Sequence, residues 1–193
     1  MTRWVDSWVH GAHGVERLAA FFEACTDPWD RLPLACAPNA FGVGSTRSFA
    51  DYFQGTSQVT ARSLEEICAW LQGCECRSDH ALFRQEDHWL HPLAFERLRQ
   101  GDCEDHALWA WRKLAEIGMP ARFTAGRWEG VAHAWLVLDQ TDGTRIFETT
   151  AKSRAMLLPF DPETRAAYCP ALSIDHALRT YVHAGYPRFR NGP

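Results

Sequence analysis

The stretch Gly101-Asp102-Cys103-Glu104-Asp105-His106-Ala107 opens the most clearly amphipathic segment of the chain and decides how the rest is interpreted. Apolar residues continue from it at three- and four-residue spacing, at Ala107, Leu108, Ala110, Trp111, Leu114, Ala115 and Ile117. This spacing predicts a helix that turns one stripe toward a core and ends at Gly118. A thiol in the first turn of a helix lies beside free backbone N–H groups and the positive end of the helix dipole, which favour the thiolate. Cys103 is therefore a candidate nucleophile.

A candidate base and a carboxylate follow on a predicted hairpin. Residues 131–139 predict a strand with His133 near its start, an Asp-Gly pair predicts a turn, and residues 145–149 predict the returning strand. Such a hairpin brings Glu148 beside His133 on one face. We therefore expect Cys103 to attack, His133 to accept and return a proton, and Glu148 to fix the imidazole tautomer.

These residues resemble the signature of the transglutaminase-like superfamily, in particular the bacterial transglutaminase-like cysteine proteinases. That family carries Gly-Asp-Cys-Glu-Asp-x-Ala, then a His-Ala strand, then a strand that ends in an acidic residue and Thr. The similar elements here are residues 101–107, 133–135 and 147–149, and the resemblance spans residues 63–152. It implies an α+β fold with a papain-like or transglutaminase-like core, in which helices pack on a small antiparallel sheet. The family usually has Asp where this chain has Glu148, a side chain that can also accept the imidazole N–H.

The length of 193 residues is enough for one domain with a real core. We predict a single domain over residues 1–193. Within it, residues 1–60 are expected to form an N-terminal helical and loop extension, residues 63–152 the transglutaminase-like core, and residues 153–193 a C-terminal extension with a helix.

Local patterns predict several further elements. Helices are expected at residues 15–24, after the N-cap residue Ser63, and at residues 93–99. A strand is expected at residues 122–127. Residues 173–183 predict the last helix, because Ile174, Ala177, Leu178, Tyr181 and Val182 follow helical spacing.

Acyl transfer also requires hydrogen-bond donors for the oxyanion. The backbone N–H of Cys103 is one natural donor. Gln54, Gln85 and Trp89 are candidates for a second, since papain-like sites use an upstream Gln and transglutaminase-like sites often use a Trp indole. Trp89 has the better placement relative to the resemblance, although a core aromatic under the nucleophile helix is an equally open interpretation.

Composition limits the other classes of function. The net charge is −4 and basic runs are absent, so we expect no nucleic-acid partner. No stretch has transmembrane length, and residues 1–7 lack the apolar region of a signal peptide, so a cytoplasmic protein with mostly free thiols among its seven cysteines is expected. Cys74 and Cys76 with His80 nearby are too tightly spaced for a zinc framework. We therefore predict no metal and no cofactor.

Two functions remain from different classes. The first is a cysteine-dependent amide hydrolase, a peptidase or related acyl transferase including a transglutaminase, that acts on a peptide or protein substrate through Cys103, His133 and Glu148. The second is an inactive or weakly active transglutaminase-like domain that binds protein. The sequence does not identify the substrate, choose between hydrolysis and transamidation, or give the oligomeric state.

Overall fold

The computed structural model of the protein describes residues 12–152 and 155–191. Residues 1–7, on which the expectation of a cytoplasmic protein depends, lie outside this part of the chain. The described α-helices are α1 Ala12–Ala24, α2 Leu64–Gln72, α3 Asp79–Phe83, α4 Pro92–Leu98, α5 Cys103–Glu116, α6 Pro162–Ala167 and α7 Tyr186–Asn191. The strands are β1 Arg31–Pro33, β2 Glu75–Cys76, β3 Gln100–Gly101, β4 Ala121–Trp128, β5 Val131–Gln140, β6 Gly143–Phe147, β7 Leu157–Pro159, β8 Tyr168–Asp175 and β9 Thr180–His183. Short 3₁₀ helices span Pro38–Ala40 and Phe49–Phe53.

One antiparallel sheet organises the molecule. Its strand order is β1-β9-β8-β4-β5-β6-β7, and each neighbouring pair runs antiparallel. A separate two-stranded parallel sheet joins β2 to β3 directly before α5. The predicted α+β class, with helices packed on an antiparallel sheet and Cys103 at a helix N-terminus, is confirmed. Among the described residues, no helix combines the length and apolar character that a membrane span requires.

Helix α5 is the central helix of the fold rather than a helix with one buried stripe. It packs against β4 and β5 on one side, and α2 and α4 contact it as well. Even Arg112 and Lys113 are buried on it. The Arg112 guanidinium donates to the carbonyl oxygens of residues 52, 54 and 55 at 2.6–3.2 Å, and Lys113 Nζ lies 3.5 Å from Glu96 Oε1. These partners allow charged side chains to be buried on α5.

The helix predicted at residues 173–183 is wrong. Strands β8 and β9 occupy this region and form a hairpin, and β8 lies between β9 and β4 in the middle of the sheet. Asp175 makes the turn, because its Oδ1 accepts hydrogen bonds from the backbone N–H groups of Ala177 and Arg179, each at 3.0 Å. Leu178 completes it with a positive φ of 60°. A side chain that bonds its own backbone in this way competes with helix formation.

The other local predictions are confirmed. Helices α1 and α4 and strand β4 lie where the patterns expected them. Ser63 caps α2, and its Oγ accepts from the backbone N–H of Glu66 at 3.3 Å. Strands β5 and β6 pair as the predicted hairpin. Glu148 is the first residue after β6 rather than a residue within it.

Candidate active site

Cys103 is the first residue of α5 and lies against the sheet. Its Sγ donates to Glu104 Oε2 at 3.3 Å. Burial raises the pKa of the Cys103 thiol well above its ordinary value, and the neighbouring charges of Glu104 and Asp102 raise it further. The backbone N–H of Ala134 on β5 acts in the opposite direction and lowers the pKa. Burial and the neighbouring carboxyl groups thus act against the helix N-terminus, which favours the thiolate.

His133 and Glu148 are joined by a hydrogen bond. His133 Nε2 lies 2.8 Å from Glu148 Oε2, and the Glu148 side chain is 1% exposed. Burial alone would raise the pKa of Glu148, but the hydrogen bonds from His133 and Thr150 lower it to about 2. Since Glu148 is then an ionised acceptor, His133 carries its proton on Nε2. Its Nδ1 is the ring nitrogen left to exchange a proton with a nucleophile.

Two further groups fix the Glu148 carboxylate. The Tyr168 hydroxyl donates to Oε2 at 2.9 Å, and the backbone N–H of Thr150 donates to Oε1 at 3.0 Å, together with the Thr150 hydroxyl. Tyr168 is on β8 and is 2% exposed. No sequence pattern predicts Tyr168 as a site residue, because it lies in the C-terminal region, outside the predicted core of residues 63–152. Both carboxylate oxygens are thus held by donors, which sets the orientation of the imidazole.

A cavity of about 460 Å³ contains both Cys103 and His133 in its walls. Residues 39–43, from the predicted N-terminal extension, form one wall, and Phe189 and Arg190 of α7 form another. Burial is incomplete at His133, whose side chain is 11% exposed. The structure therefore brings the predicted nucleophile and base to one opening, and places Glu148 behind the base.

The three candidate oxyanion side chains lie in different places. Trp89 lines the cavity and is 5% exposed, but its Nε1–H already donates to Asp87 Oδ1 at 2.8 Å. Gln54 donates to Asp51 at the surface, and Gln85 is exposed in the loop after α3. In the part of the chain that the structure describes, neither glutamine lines the cavity. The structure thus brings Trp89 to the same cavity as Cys103 and leaves the two glutamines outside it.

Asp105 holds the Trp89 segment against α5. Its Oδ1 accepts from the backbone N–H of Leu90 at 2.8 Å, and the residue is fully buried. Burial raises the pKa of Asp105 to about 8. Its carboxyl packs so closely on Gly101 that a Cβ at this position would collide with Oδ2. This contact explains why the motif needs glycine two residues before the cysteine.

Three acidic side chains beside Cys103 could hold a divalent cation. Oxygens of Asp79, Asp102 and Glu104 all lie within 4.8 Å of one another. Asp79 is 2% exposed, and its Oδ1 and that of Asp102 are buried without a hydrogen-bond partner. Burial, followed by repulsion from Asp102, raises the pKa of Asp79 to about 6, and burial raises that of Glu104 well above its ordinary value.

The donor set fits a hard cation such as Ca²⁺ or Mg²⁺, which prefers carboxylate oxygens. Such an ion would give the two unpartnered oxygens a ligand and offset the mutual repulsion, although a proton shared between the carboxyl groups would do the same. No local pattern predicts Asp79 as a site residue, because it precedes the cysteine motif by more than twenty residues. The cluster contains none of Cys74, Cys76 and His80.

Comparisons with known proteins give partial matches. No family model matches the chain. Over 81 residues, 41% of this chain, it is 36% identical to the centrosomal protein of 76 kDa of Pongo abelii and 35% identical to that of Homo sapiens. The match spans 12% of the length of these relatives.

Solved structures of LapG from Legionella pneumophila are also similar to this chain. The EGTA-treated form has a TM-score of 0.49 at 18% identity and covers 75% of this chain and 72% of that chain. The calcium-bound form has a TM-score of 0.47 at 16% identity and covers 84% of each chain. At these identities the similarity concerns the fold alone.

Proposed function

We propose that the protein is a cysteine-dependent amide hydrolase that acts on a peptide or protein substrate. The observation that carries the proposal is the 2.8 Å hydrogen bond between His133 and the buried Glu148, at the edge of a cavity that Cys103 also lines. A base oriented by a carboxylate beside a thiol is the arrangement that nucleophilic acyl transfer requires. The resemblance of residues 101–107 to the transglutaminase-like signature supports the same chemistry.

The proposed reaction has two halves. In the first, the Cys103 thiol gives its proton to His133 Nδ1 while the sulfur attacks the carbonyl carbon of the amide. The backbone N–H of Cys103 stabilises the negative oxygen of the tetrahedral intermediate. His133 then gives the proton to the leaving amine, the C–N bond breaks, and a thioester with Cys103 remains.

In the second half, His133 removes a proton from water, and the hydroxide attacks the thioester. The carbon–sulfur bond breaks, and Cys103 regains its proton from His133 as the carboxylic acid leaves. Glu148 stays ionised throughout, because its hydrogen bonds hold its pKa at about 2 despite burial. It stabilises the imidazolium that forms twice in each cycle. A primary amine in place of water would give transamidation with the same residues.

A protein-binding module without chemistry is the second candidate. Two observations favour it: burial and nearby carboxylates hold the pKa of the Cys103 thiol high, and the Trp89 indole is bound to Asp87 instead of facing an oxyanion. In this case the cavity would bind a peptide without cleaving it. The two candidates therefore differ in what happens to a bound peptide.

Mass spectrometry of a defined peptide library, with a primary amine added, tests the proposal. Wild-type protein should produce new peptide termini or amine adducts, and the product masses distinguish hydrolysis from transfer. Cys103→Ala should abolish both products and keep its circular dichroism spectrum, whereas the control Cys76→Ala, at an exposed cysteine on β2, should retain them. Equal products from Cys103→Ala would refute the thiol mechanism. Absence of products from wild type across the library would refute the hydrolase and favour the binding module.

A further inference from the structure

A second cavity lies at the opposite end of the central strands from the candidate active site. It has a volume of about 480 Å³ and is lined by the start of β4, the end of β5, the β8–β9 hairpin and the segment after α5. Asp139 of β5 lines it, whereas His133 of the same strand lines the active-site cavity. Six residues of extended strand separate these positions by roughly 20 Å. The two cavities are therefore distinct.

Positive charge predominates in this second cavity. Arg31, Arg122 and Arg179 contribute guanidinium groups, against the carboxylates of Asp139 and Asp175. Arg122 pairs with Asp139, and Arg179 Nη2 lies 2.8 Å from Asp175 Oδ2. This leaves one guanidinium, that of Arg31, without a carboxylate among the described residues. The Cζ atom of Arg31 lies over the Tyr181 ring, 5.3 Å from its centroid.

Donors within the β8–β9 hairpin occupy all hydrogen-bond acceptor positions of the Asp175 carboxylate. Its Oδ1 accepts two backbone N–H groups, and its Oδ2 accepts from Arg179 Nε at 2.9 Å and from the Tyr181 hydroxyl at 3.0 Å. Asp175 therefore has no acceptor capacity left for Arg31. Within the described part of the chain, Arg31 lines the cavity and makes no ion pair with a carboxylate.

Arg122 provides a second, buried donor. It is 6% exposed, and its Nε is buried without a hydrogen-bond partner. Burial, followed by the nearby positive charge of Arg31, lowers the pKa of Arg122 to about 10. Two guanidinium groups that repel each other, one with an unused donor, form an arrangement that an anion would stabilise.

We propose that this cavity binds a small organic oxyanion, in which a carboxylate or phosphate group is attached to an apolar group. The guanidinium groups of Arg31 and Arg122 would bind the oxygens, because the parallel N–H donors of a planar guanidinium match the geometry of carboxylate and phosphate oxygens. The apolar group of the ligand would contact the apolar part of the cavity wall, formed by Met119, Pro120 and Ala177. The proposal does not depend on the chemistry at Cys103.

Binding of inorganic phosphate and of benzoate, each measured by thermal unfolding and isothermal titration at pH 7.5, tests this inference. At least one probe should raise the melting temperature above the value in sodium chloride of equal ionic strength, and the stronger probe identifies the class of oxyanion. Arg31→Gln should weaken that binding about tenfold, because one charge-assisted donor is lost. The control Arg97→Gln, at an exposed arginine on α4 outside the cavity, should bind as wild type does.

Two results would overturn the inference. One is an equal shift in chloride and in both probes, which would show general screening. The other is unchanged affinity in Arg31→Gln. Arg31 lies on the exposed edge strand β1, so its replacement should not impair folding. If that variant nevertheless unfolds, Arg31→Met, which keeps an unbranched side chain beside the Tyr181 ring, provides the same comparison, and unchanged affinity in it would also contradict the proposal.

Discussion

Replacing Glu148 with Gln removes a buried negative charge that four hydrogen bonds hold in place. The donors are His133 Nε2, the Tyr168 hydroxyl, and the backbone N–H and hydroxyl of Thr150. They approach both carboxylate oxygens, so the NH₂ group of the introduced amide would face donors whichever way the amide is turned. We therefore expect Glu148→Gln to destabilise the protein and to keep only weak activity.

The size of the expected destabilisation follows from the pKa of Glu148. Although burial alone would raise it, the hydrogen bonds lower the folded-state pKa from the ordinary 4.5 to about 2. At about 1.36 kcal/mol per pH unit, this difference corresponds to at most about 3 kcal/mol of stability. A group whose pKa is lowered by folding stabilises the protein above its unfolded pKa. That contribution is complete above about pH 5.5 and disappears as the pH falls from about 4.5 toward 2.

Urea unfolding of wild type and Glu148→Gln at several pH values between 7 and 3 measures the effect. The difference in free energy of unfolding should be largest at pH 7 and decrease steadily below pH 4.5. Titrating groups that do not contact Glu148 cancel in this difference. Glu23→Gln, at an exposed position on α1, provides the control and should differ little from wild type at any pH. A difference that stays constant between pH 7 and pH 3 would refute the reasoning.

Three further predictions concern neighbouring groups. Tyr168→Phe removes one hydrogen-bond donor to Glu148, a loss of about 1 kcal/mol, and should therefore reduce kcat/KM about fivefold with little change in KM. Steady-state kinetics on a cleaved peptide measures this effect, and an unchanged kcat would contradict the prediction. Lys113→Met leaves the buried Glu96 without its cation and should lower the free energy of unfolding, measured in urea, by about 3–5 kcal/mol. A decrease of less than about 1 kcal/mol would contradict this prediction. Millimolar Ca²⁺ should raise the melting temperature of EDTA-treated wild type more than that of Asp79→Asn; equal shifts would favour a shared proton over a cation at the acidic cluster.

The parts of the fold that depend on local patterns could be predicted from the sequence. Helix α5 and the β5–β6 hairpin follow from periodicity and turn chemistry, because each is formed by residues close in the chain. The same local signals brought His133 and Glu148 onto one predicted hairpin, and the structure joins them by a hydrogen bond. Their catalytic role stays a prediction.

The parts that depend on distant pairing could not be predicted. Residues 173–183 have helical spacing, but a strand, a turn and a strand produce the same short pattern, and the bonds of Asp175 to its own backbone decide between them. The position of β8 beside β4 depends on pairing between residues about 40 to 53 positions apart, from Trp128 with Tyr168 to Arg122 with Asp175, and no local motif encodes it. Tyr168 and Asp79 are not predictable as site residues from local patterns, because both reach the site from outside the motif at residues 101–107.

The order of strands in the sheet sets the order in which the protein can fold. Strand β4 pairs with β5 within one hairpin, but its other edge pairs with β8, which is made about forty residues later on the ribosome. Until β8 arrives, β4 presents an open edge of unpaired N–H and C=O groups, the kind of surface on which chains aggregate. Glu148 also lacks the Tyr168 hydroxyl until then. Non-local pairing of this kind slows folding, so the complete set of hydrogen bonds to Glu148 should be among the last features to form as the chain is synthesised.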